Sequence, residues 1–209
     1  MGVQGGSGLA SLLVATALGV ALWQGRDVLE QVPEHMTPPP GHGPYTGTVA
    51  DWPLWFPMHK FGAYCFDTLR CEVRYAGFQH GGPDERSQPS IESFGRPIED
   101  ILRAGWGPYP NFPEPARVTW TSLDGTALVA TVDVAGIFSD RMVRHTMARE
   151  DILENATIPY PGIIVVVDDR VIRVYMSSWI VLKESRGGDS ENRASDLHTG
   201  VVLVHSETY

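Results

Sequence analysis

The chain has 209 residues, of which 43% are apolar and 20% are charged, and its formal net charge is −9 at pH 7. An acidic surface of this kind repels nucleic acid and anionic lipid headgroups, so a nucleic-acid-binding protein is excluded. It favours either a partner with a basic face or, more simply, a soluble domain.

The first predicted element is a membrane-targeting segment. Residues 1–25 contain no charged side chain, and an almost unbroken apolar run covers residues 9–23. That run is shorter than the ~20 residues that cross a bilayer, which favours a secretory signal peptide with a small-x-small cleavage site at residues 19–21. The alternatives are an uncleaved anchor in the inner membrane, counted from Val3, and a buried N-terminal helix. We expect export to the periplasm, and no cysteine stands near this segment for lipid attachment.

Residues 26–47 form the next predicted element, a linker. They are rich in Pro, Gly and polar residues, a composition that extends the backbone and builds no core. The remaining residues, 48–209, suit a single domain in length and apolar content.

The two cysteines of the chain, Cys65 and Cys71, stand between two strand-like runs at residues 61–66 and 72–78. Because export places them in an oxidising compartment, we expect a disulfide bond that staples a hairpin and contributes roughly 2 kcal/mol. The spacing argues against a redox-active pair, in which two residues usually separate the cysteines.

Two hairpins make up most of the predicted framework. In residues 117–134, apolar side chains alternate with polar ones until Asp124-Gly125 turns the chain. In residues 162–176, a β-branched run meets Asp168-Asp169-Arg170 and then resumes, which is typical of two central strands. A terminal strand is predicted over residues 199–207.

Helical signals are limited to residues 139–143 and 148–153, each one to three turns long. The predicted fold class is therefore β-rich α+β, mainly an antiparallel sheet or sandwich with one or two short helices and long loops. Two segments fall outside this framework: residues 79–115, rich in Pro and Gly, and the polar residues 184–198. Long loops on a β framework are a common place for binding sites.

Three aromatic residues stand among prolines in the first long segment: Trp106, Tyr109 and Phe112. They either anchor a partner or pack down on the sheet as a lid, in which case at least two of the three are expected to be packed. The second long segment is interpreted as a solvated hairpin loop unless its acidic residues orient a partner.

Catalytic motifs are not found in the sequence. It has no Gly-x-Ser-x-Gly elbow, no His-Glu-x-x-His pair and no Gly-rich phosphate loop, and its seven histidines are scattered singly. The densest group of titratable residues occupies one turn-rich stretch: His80, Asp84, Glu85 and Arg86. A carboxylate cluster without a nucleophile specifies no reaction. We therefore expect no catalytic residue, no metal and no cofactor, with a small hydrolase built on this loop as the minority alternative.

A set of motifs spread over residues 55–209 resembles a known family. In chain order they are Phe61-Gly-Ala-Tyr-Cys-Phe-Asp67, Tyr75-Ala-Gly77, Asp84-Glu-Arg86, Pro110-Asn-Phe-Pro-x-Pro-Ala116, Val118-x-Trp120-x-Ser122-x-Asp124-Gly125, Ile137-Phe138, Asp169-Arg170-x-Ile172-x-Val174-Tyr175-Met176 and Tyr209. This pattern is similar to the framework of the periplasmic immunity proteins encoded beside lipase effectors of type VI secretion systems.

The resemblance implies an inhibitor in the periplasm of a Gram-negative bacterium. Such a protein binds a cognate secreted lipase or phospholipase and blocks its active site or its approach to the membrane. Many such proteins are lipoproteins, whereas this chain is either soluble or held by an N-terminal membrane tether.

The residues expected at the interface belong to the two long segments and combine aromatic anchors with charges that orient the partner: Asp84, Glu85, Arg86, Trp106, Tyr109, Phe112, Asp189 and Glu191. The alternative from another class is an envelope structural or assembly protein that uses the same loops on a cell-envelope partner. A lipase gene immediately beside this one would favour the immunity protein.

Overall fold

The computed structural model of the protein describes residues 32–81, 87–183 and 197–209, together with Gly2. The chain divides into the units Met1–Gln31 and Val32–Tyr209, and the second unit contains all the elements below. In chain order its strands are β1 (Met58–Phe66), β2 (Thr68–Tyr75), β3 (Phe78–His80), β4 (Trp106–Pro110), β5 (Ala116–Ser122), β6 (Ala127–Val132), β7 (Gly162–Asp168), β8 (Val171–Val181) and β9 (Leu197–Thr208).

Helices are short. The described residues contain two α-helices of four residues each, α1 (Ile98–Ile101) and α2 (Val134–Ile137), and the 3-10 turns Glu34–Met36, Val49–Asp51, Glu92–Phe94 and Arg149–Asp151. Across the ranges that the structure describes, no helix has both the length and the apolar character needed to cross a membrane.

The strands form two sheets, one with the order β4-β1-β7-β8-β9 and the other with the order β3-β2-β5-β6. Only the β1–β7 pair is parallel among the described strands; the other neighbours are antiparallel. One buried cluster contains side chains from both sheets, among them Phe61, Val165 and Val174 of the first and Val118 and Trp120 of the second. The two sheets therefore face each other across one core, and the predicted β-rich class is confirmed.

The outer face of the five-stranded sheet is covered in part by the segment that contains α1. Leu102 and its neighbours pack there against Ile164 and Val166 of β7. Two glycines allow this close approach. A Cβ atom on Gly62 would lie 2.5 Å from the carbonyl oxygen of Arg103, and one on Gly162 would lie 2.5 Å from the Cβ of Ala104.

Both predicted hairpins are present. β5 pairs with β6 around Asp124-Gly125, where Gly125 has a φ of +86°, and β7 pairs with β8 around Asp169, which has a φ of +46°. Positive φ is the conformation that Gly and Asp tolerate in tight turns. The predicted terminal strand is β9.

Motif residues from the two hairpin turns meet at one end of the sandwich. The indole nitrogen of Trp120 donates to the carbonyl oxygen of Asp169 at 2.6 Å, and its ring packs edge-on against Tyr209. Arg170 donates to the carboxylate of Asp124 at 2.9 Å and to the carbonyl oxygen of Tyr209 at 3.0 Å. These motif residues therefore join the two sheets, which is a structural role.

The disulfide bond between Cys65 and Cys71 is present, but the predicted hairpin around it is wrong. Cys65 lies on β1 and Cys71 on β2, and these consecutive strands belong to different sheets. Asp67, with a φ of +47°, turns the chain from one sheet to the other. The bond therefore ties the two layers of the sandwich at that corner.

The helix predicted over residues 139–143 is also wrong. The helix lies earlier, at α2, because the carboxylate of Asp133 accepts a hydrogen bond from the amide of Gly136 at 2.9 Å and caps its first turn. Arg141, with a φ of +56°, lies within the predicted range, in a conformation that no α-helix contains. Residues 148–153 contain one 3-10 turn.

Residues 79–115 were predicted to lie outside the framework. This prediction is wrong for part of the range, because β4 belongs to the five-stranded sheet. That strand pairs with β1, with His59 opposite Tyr109 and Met58 opposite Pro110. Prolines hide the strand pattern, but an edge strand tolerates them because only one of its sides needs amide donors.

The last part of the predicted linker contacts the domain. Arg141 donates to the carbonyl oxygens of His35 at 3.2 Å and Thr37 at 2.7 Å. The buried carboxylate of Asp51 accepts hydrogen bonds from the amides of Thr46 and Gly47. These contacts fix the path by which the chain enters the sandwich.

Candidate partner-binding site

Two large aromatic side chains protrude from one side of the sandwich. Phe78 is 59% exposed on β3 and Trp106 is 60% exposed on β4, and these strands are the edges of their two sheets. The Phe78 ring lies 6.4 Å from the ring of Tyr109, which brings β3 and β4 to the same side. We refer to Phe78, Trp106 and Tyr109 as the aromatic edge.

The backbone around Trp106 is fixed by its neighbours. Trp106 pairs with Phe61 of β1, and its ring meets the ring of His80 edge-on at 5.7 Å. Gly107 follows with a φ of +106°, a conformation that side chains rarely adopt, and a Cβ atom there would lie 3.1 Å from the carbonyl oxygen of His59. Trp106 is therefore exposed from a rigid position.

The other two predicted aromatic residues are partly buried. Tyr109 and Phe112 both pack against the main core, and Phe112 meets the rings of Phe56 at 6.1 Å and His59 at 5.6 Å. Of the predicted trio, two members pack down on the sheet and Trp106 is exposed.

A buried hydrogen-bond chain supports the aromatic edge from below. Asn111 donates from Nδ2 to the carbonyl oxygen of Phe56 at 2.7 Å, so its Oδ1 accepts from Nδ1 of His59 at 2.7 Å. Nε2 of His59 then accepts from the hydroxyl of Tyr75 at 2.8 Å. The His59 side chain is 0% exposed, and this burial lowers its pKa to about 4. A neutral, enclosed imidazole with both nitrogens satisfied has no access to a substrate, so the chain of bonds is structural.

His80 lies next to this network and was predicted as part of a charged cluster. It is 2% exposed, its Nε2 donates to the carbonyl oxygen of Tyr75 at 3.2 Å, and burial lowers its pKa. Its Nδ1 is buried and has no hydrogen-bond partner within the described ranges. A buried imidazole held in this way belongs to the packing beneath Trp106.

The remaining predicted interface residues lie outside the described residues: Asp84, Glu85, Arg86, Asp189 and Glu191. Among the residues with described positions, no group of three His, Cys, Asp or Glu side chains is arranged to hold a metal ion.

Phe78 is not among the predicted interface residues because it falls at the end of one predicted strand over residues 72–78. The Ala76-Gly77 dipeptide is the feature of the sequence that could have indicated a turn before Phe78. Ala76 and Gly77 have φ values of +51° and +76°, and they turn the chain so that Phe78 begins the short edge strand β3.

No protein-family model, no curated protein and no solved structure matches this chain. Its function is therefore inferred from the aromatic edge and from the motifs quoted above.

Proposed function

We propose that this protein is an exported immunity protein that binds a secreted lipase effector and neutralises it. The observation that carries the proposal is the aromatic edge, where Phe78 and Trp106 are each more than half exposed on adjacent edge strands. Exposed aromatic side chains add little to the stability of an isolated domain, whereas clustered ones mark interaction sites.

The energetics of binding favour this surface. Interface affinity concentrates in a few anchors, with Trp and Tyr enriched among them, each worth roughly 2 kcal/mol or more. Trp106 loses little conformational freedom on binding because its backbone pairs with Phe61 of β1 and its ring packs against the ring of His80.

The partner chemistry follows from the same features. An enzyme that acts at a lipid surface needs exposed apolar area around its active-site entrance, and an aromatic edge is complementary to such a face. The net charge of −9 speeds the encounter with a partner whose contact face is basic. The motif resemblance to lipase immunity proteins supports the same partner.

The test uses the purified protein and the lipase encoded beside it. We expect a one-to-one complex by titration calorimetry and loss of lipase activity on phospholipid vesicles at equimolar inhibitor. Trp106→Ala and Phe78→Ala should each weaken the affinity roughly tenfold or more without lowering the melting temperature.

Trp179→Ala is the matched control, because Trp179 is also an exposed tryptophan, 45% accessible, but lies on β8. It should bind the lipase as the wild type does. If the protein does not bind the lipase and cells that lack it survive the toxin, the immunity function is rejected and the envelope structural or assembly protein takes its place.

A further inference from the structure

A cleft lies on the outer face of the five-stranded sheet, and none of its lining residues belongs to the aromatic edge. It encloses about 200 Å³, and the lining residues that matter here are Lys60, Arg103, Tyr160, Gly162, Ser177 and Trp179. This volume is below the ~300–1,000 Å³ of pockets for drug-sized ligands, so the cleft suits a smaller molecule.

The floor of the cleft is one row of residues across three neighbouring strands. Lys60 of β1 lies opposite Gly162 of β7, which lies opposite Ser177 of β8. Gly162 has no side chain, and this leaves room for both Ala104 and the hydroxyl of Ser177 above the sheet. A larger residue at this position would fill the cleft floor.

Arg103 forms a wall of the cleft, and its backbone is fixed. The Tyr64 oxygen accepts from the amide of Arg103 at 2.9 Å, and the Tyr64 hydroxyl donates to the Arg103 carbonyl oxygen at 3.1 Å. The guanidinium itself donates from Nη1 to the carbonyl oxygens of Leu102 at 2.6 Å and Glu99 at 3.3 Å. Since a guanidinium has five donor hydrogens, the three on Nε and Nη2 remain available.

Half of the twelve Lys and Arg side chains in the described residues pair with a carboxylate, and the two cations of the cleft belong to the other half. Six described basic side chains pair with a carboxylate: Arg74, Arg144, Arg149, Arg170, Arg173 and Lys183. Lys60 and Arg103 form no such pair within the described parts of the chain, although the protein carries nine more negative than positive charges. Two cations that have no carboxylate partner among the described residues therefore line one small cavity.

We propose that this cleft binds a small organic anion, a carboxylate or a phosphate ester attached to a short ring or apolar portion. Lys60 and Arg103 hold the anionic oxygens, and the Ser177 hydroxyl supplies a further donor from the floor. Tyr160 and Trp179, which also line the cleft, contact the apolar portion. The site is separate from the lipase-binding surface and does not depend on that function.

The experiment titrates the purified protein with phenyl phosphate, benzoate, inorganic phosphate and benzyl alcohol, and follows binding by calorimetry and by NMR shifts of the tryptophan indoles. Phenyl phosphate or benzoate should bind, the tighter of the two identifying the anionic group, and the affinity should fall as salt is added. Inorganic phosphate and the uncharged benzyl alcohol should bind roughly tenfold more weakly or not at all.

Variants locate the binding. Lys60→Ala should weaken the affinity for the better probe roughly tenfold or more, since a hydrogen bond to a charged group is lost. Trp179→Ala should also weaken it and should remove the indole signal that moves during the titration, whereas Arg117→Ala, which removes an exposed cation on β5, should change nothing.

Three results would overturn the proposal. The first is that neither phenyl phosphate nor benzoate binds. The second is that the Lys60→Ala and Arg117→Ala proteins bind the better probe with equal affinity. The third is that inorganic phosphate binds as tightly as phenyl phosphate. Trp106→Ala should leave anion binding unchanged, and Trp179→Ala should leave lipase binding unchanged. The two proposed functions therefore succeed or fail separately.

Discussion

The single phenol group of Tyr64 makes hydrogen bonds to both backbone polar groups of Arg103, the amide at 2.9 Å and the carbonyl at 3.1 Å. Tyr64→Phe removes both bonds and adds no bulk. We expect the free energy of unfolding to fall by about 1–2 kcal/mol. We also expect anion affinity in the cleft to fall, because Arg103 is no longer held.

Urea denaturation and phenyl phosphate titration measure these two effects. Tyr175→Phe is the control, since Tyr175 packs against the same face of the sheet and no hydrogen bond to its hydroxyl is found in the described structure. If Tyr64→Phe lowers stability no more than Tyr175→Phe does, the phenol does not hold Arg103.

The three aromatic residues of the first long segment should separate into two classes. Tyr109→Ala and Phe112→Ala remove partly buried rings from the core, so each should lower the free energy of unfolding by about 2 kcal/mol or more. Trp106→Ala should change it by less than about 1 kcal/mol, because the ring is mostly exposed. Thermal and chemical denaturation of the three variants decide this, and a strongly destabilised Trp106→Ala would make Trp106 part of the core.

The buried neutral His59 predicts a loss of stability in mild acid. Its pKa is about 4 in the folded protein against a usual value of 6.5, so between these values the unfolded chain binds a proton that the folded protein does not. The stability that depends on His59 being neutral is fully present above pH 6.5, decreases as the pH falls, and is lost by about pH 4. In total it is worth about 3 kcal/mol, and the buried His80 adds to it in the same direction.

Urea denaturation between about pH 7 and pH 4.5 measures this slope. His59→Gln should be less stable than the wild type at neutral pH but should show a shallower slope. A His59 imidazole that titrates near 6.5 by NMR would contradict the prediction.

The disulfide bond should contribute stability without being required for folding. Replacing Cys65 and Cys71 together by Ser opens a short loop, for which chain entropy predicts a loss of about 2 kcal/mol. Mass spectrometry of unreduced peptides should find the bond in protein from the cell envelope. Two free thiols in that material would argue against both the bond and export.

Local signals in the sequence were sufficient for the hairpins and for the β-rich class. β7 and β8 are recognisable because a β-branched run and an Asp-Asp-Arg turn are adjacent in the chain. The sheet to which each strand belongs was not predictable, because β1 and β2 follow each other yet lie in different sheets, and β1 pairs with β4 and β7, which are far away in sequence. β4 was missed for the same reason: its strand character comes from pairing with β1, where Asn111 meets His59 across 52 positions.

The candidate binding residues were predictable only in part. Trp106 was found from its aromatic type and its proline-rich surroundings. The exposure of Phe78 depends on where β2 ends and β3 begins, which a continuous apolar pattern does not reveal. The cationic cleft was not visible in the sequence at all, since Lys60, Arg103 and Ser177 come together only when three strands and the segment after α1 assemble.

The parallel pairing of β1 with β7 has a consequence for the order in which the protein folds. Every strand of the four-stranded sheet has been synthesised by Val132, but β7 and β8, which cover its apolar inner face, follow only over residues 162–181. A chain that is synthesised from its amino end therefore exposes Val118 and Trp120 to water until its last quarter is present. Most contacts of the domain join parts of the chain that are far apart in sequence, so we expect folding to be completed only after residues 162–181 are present.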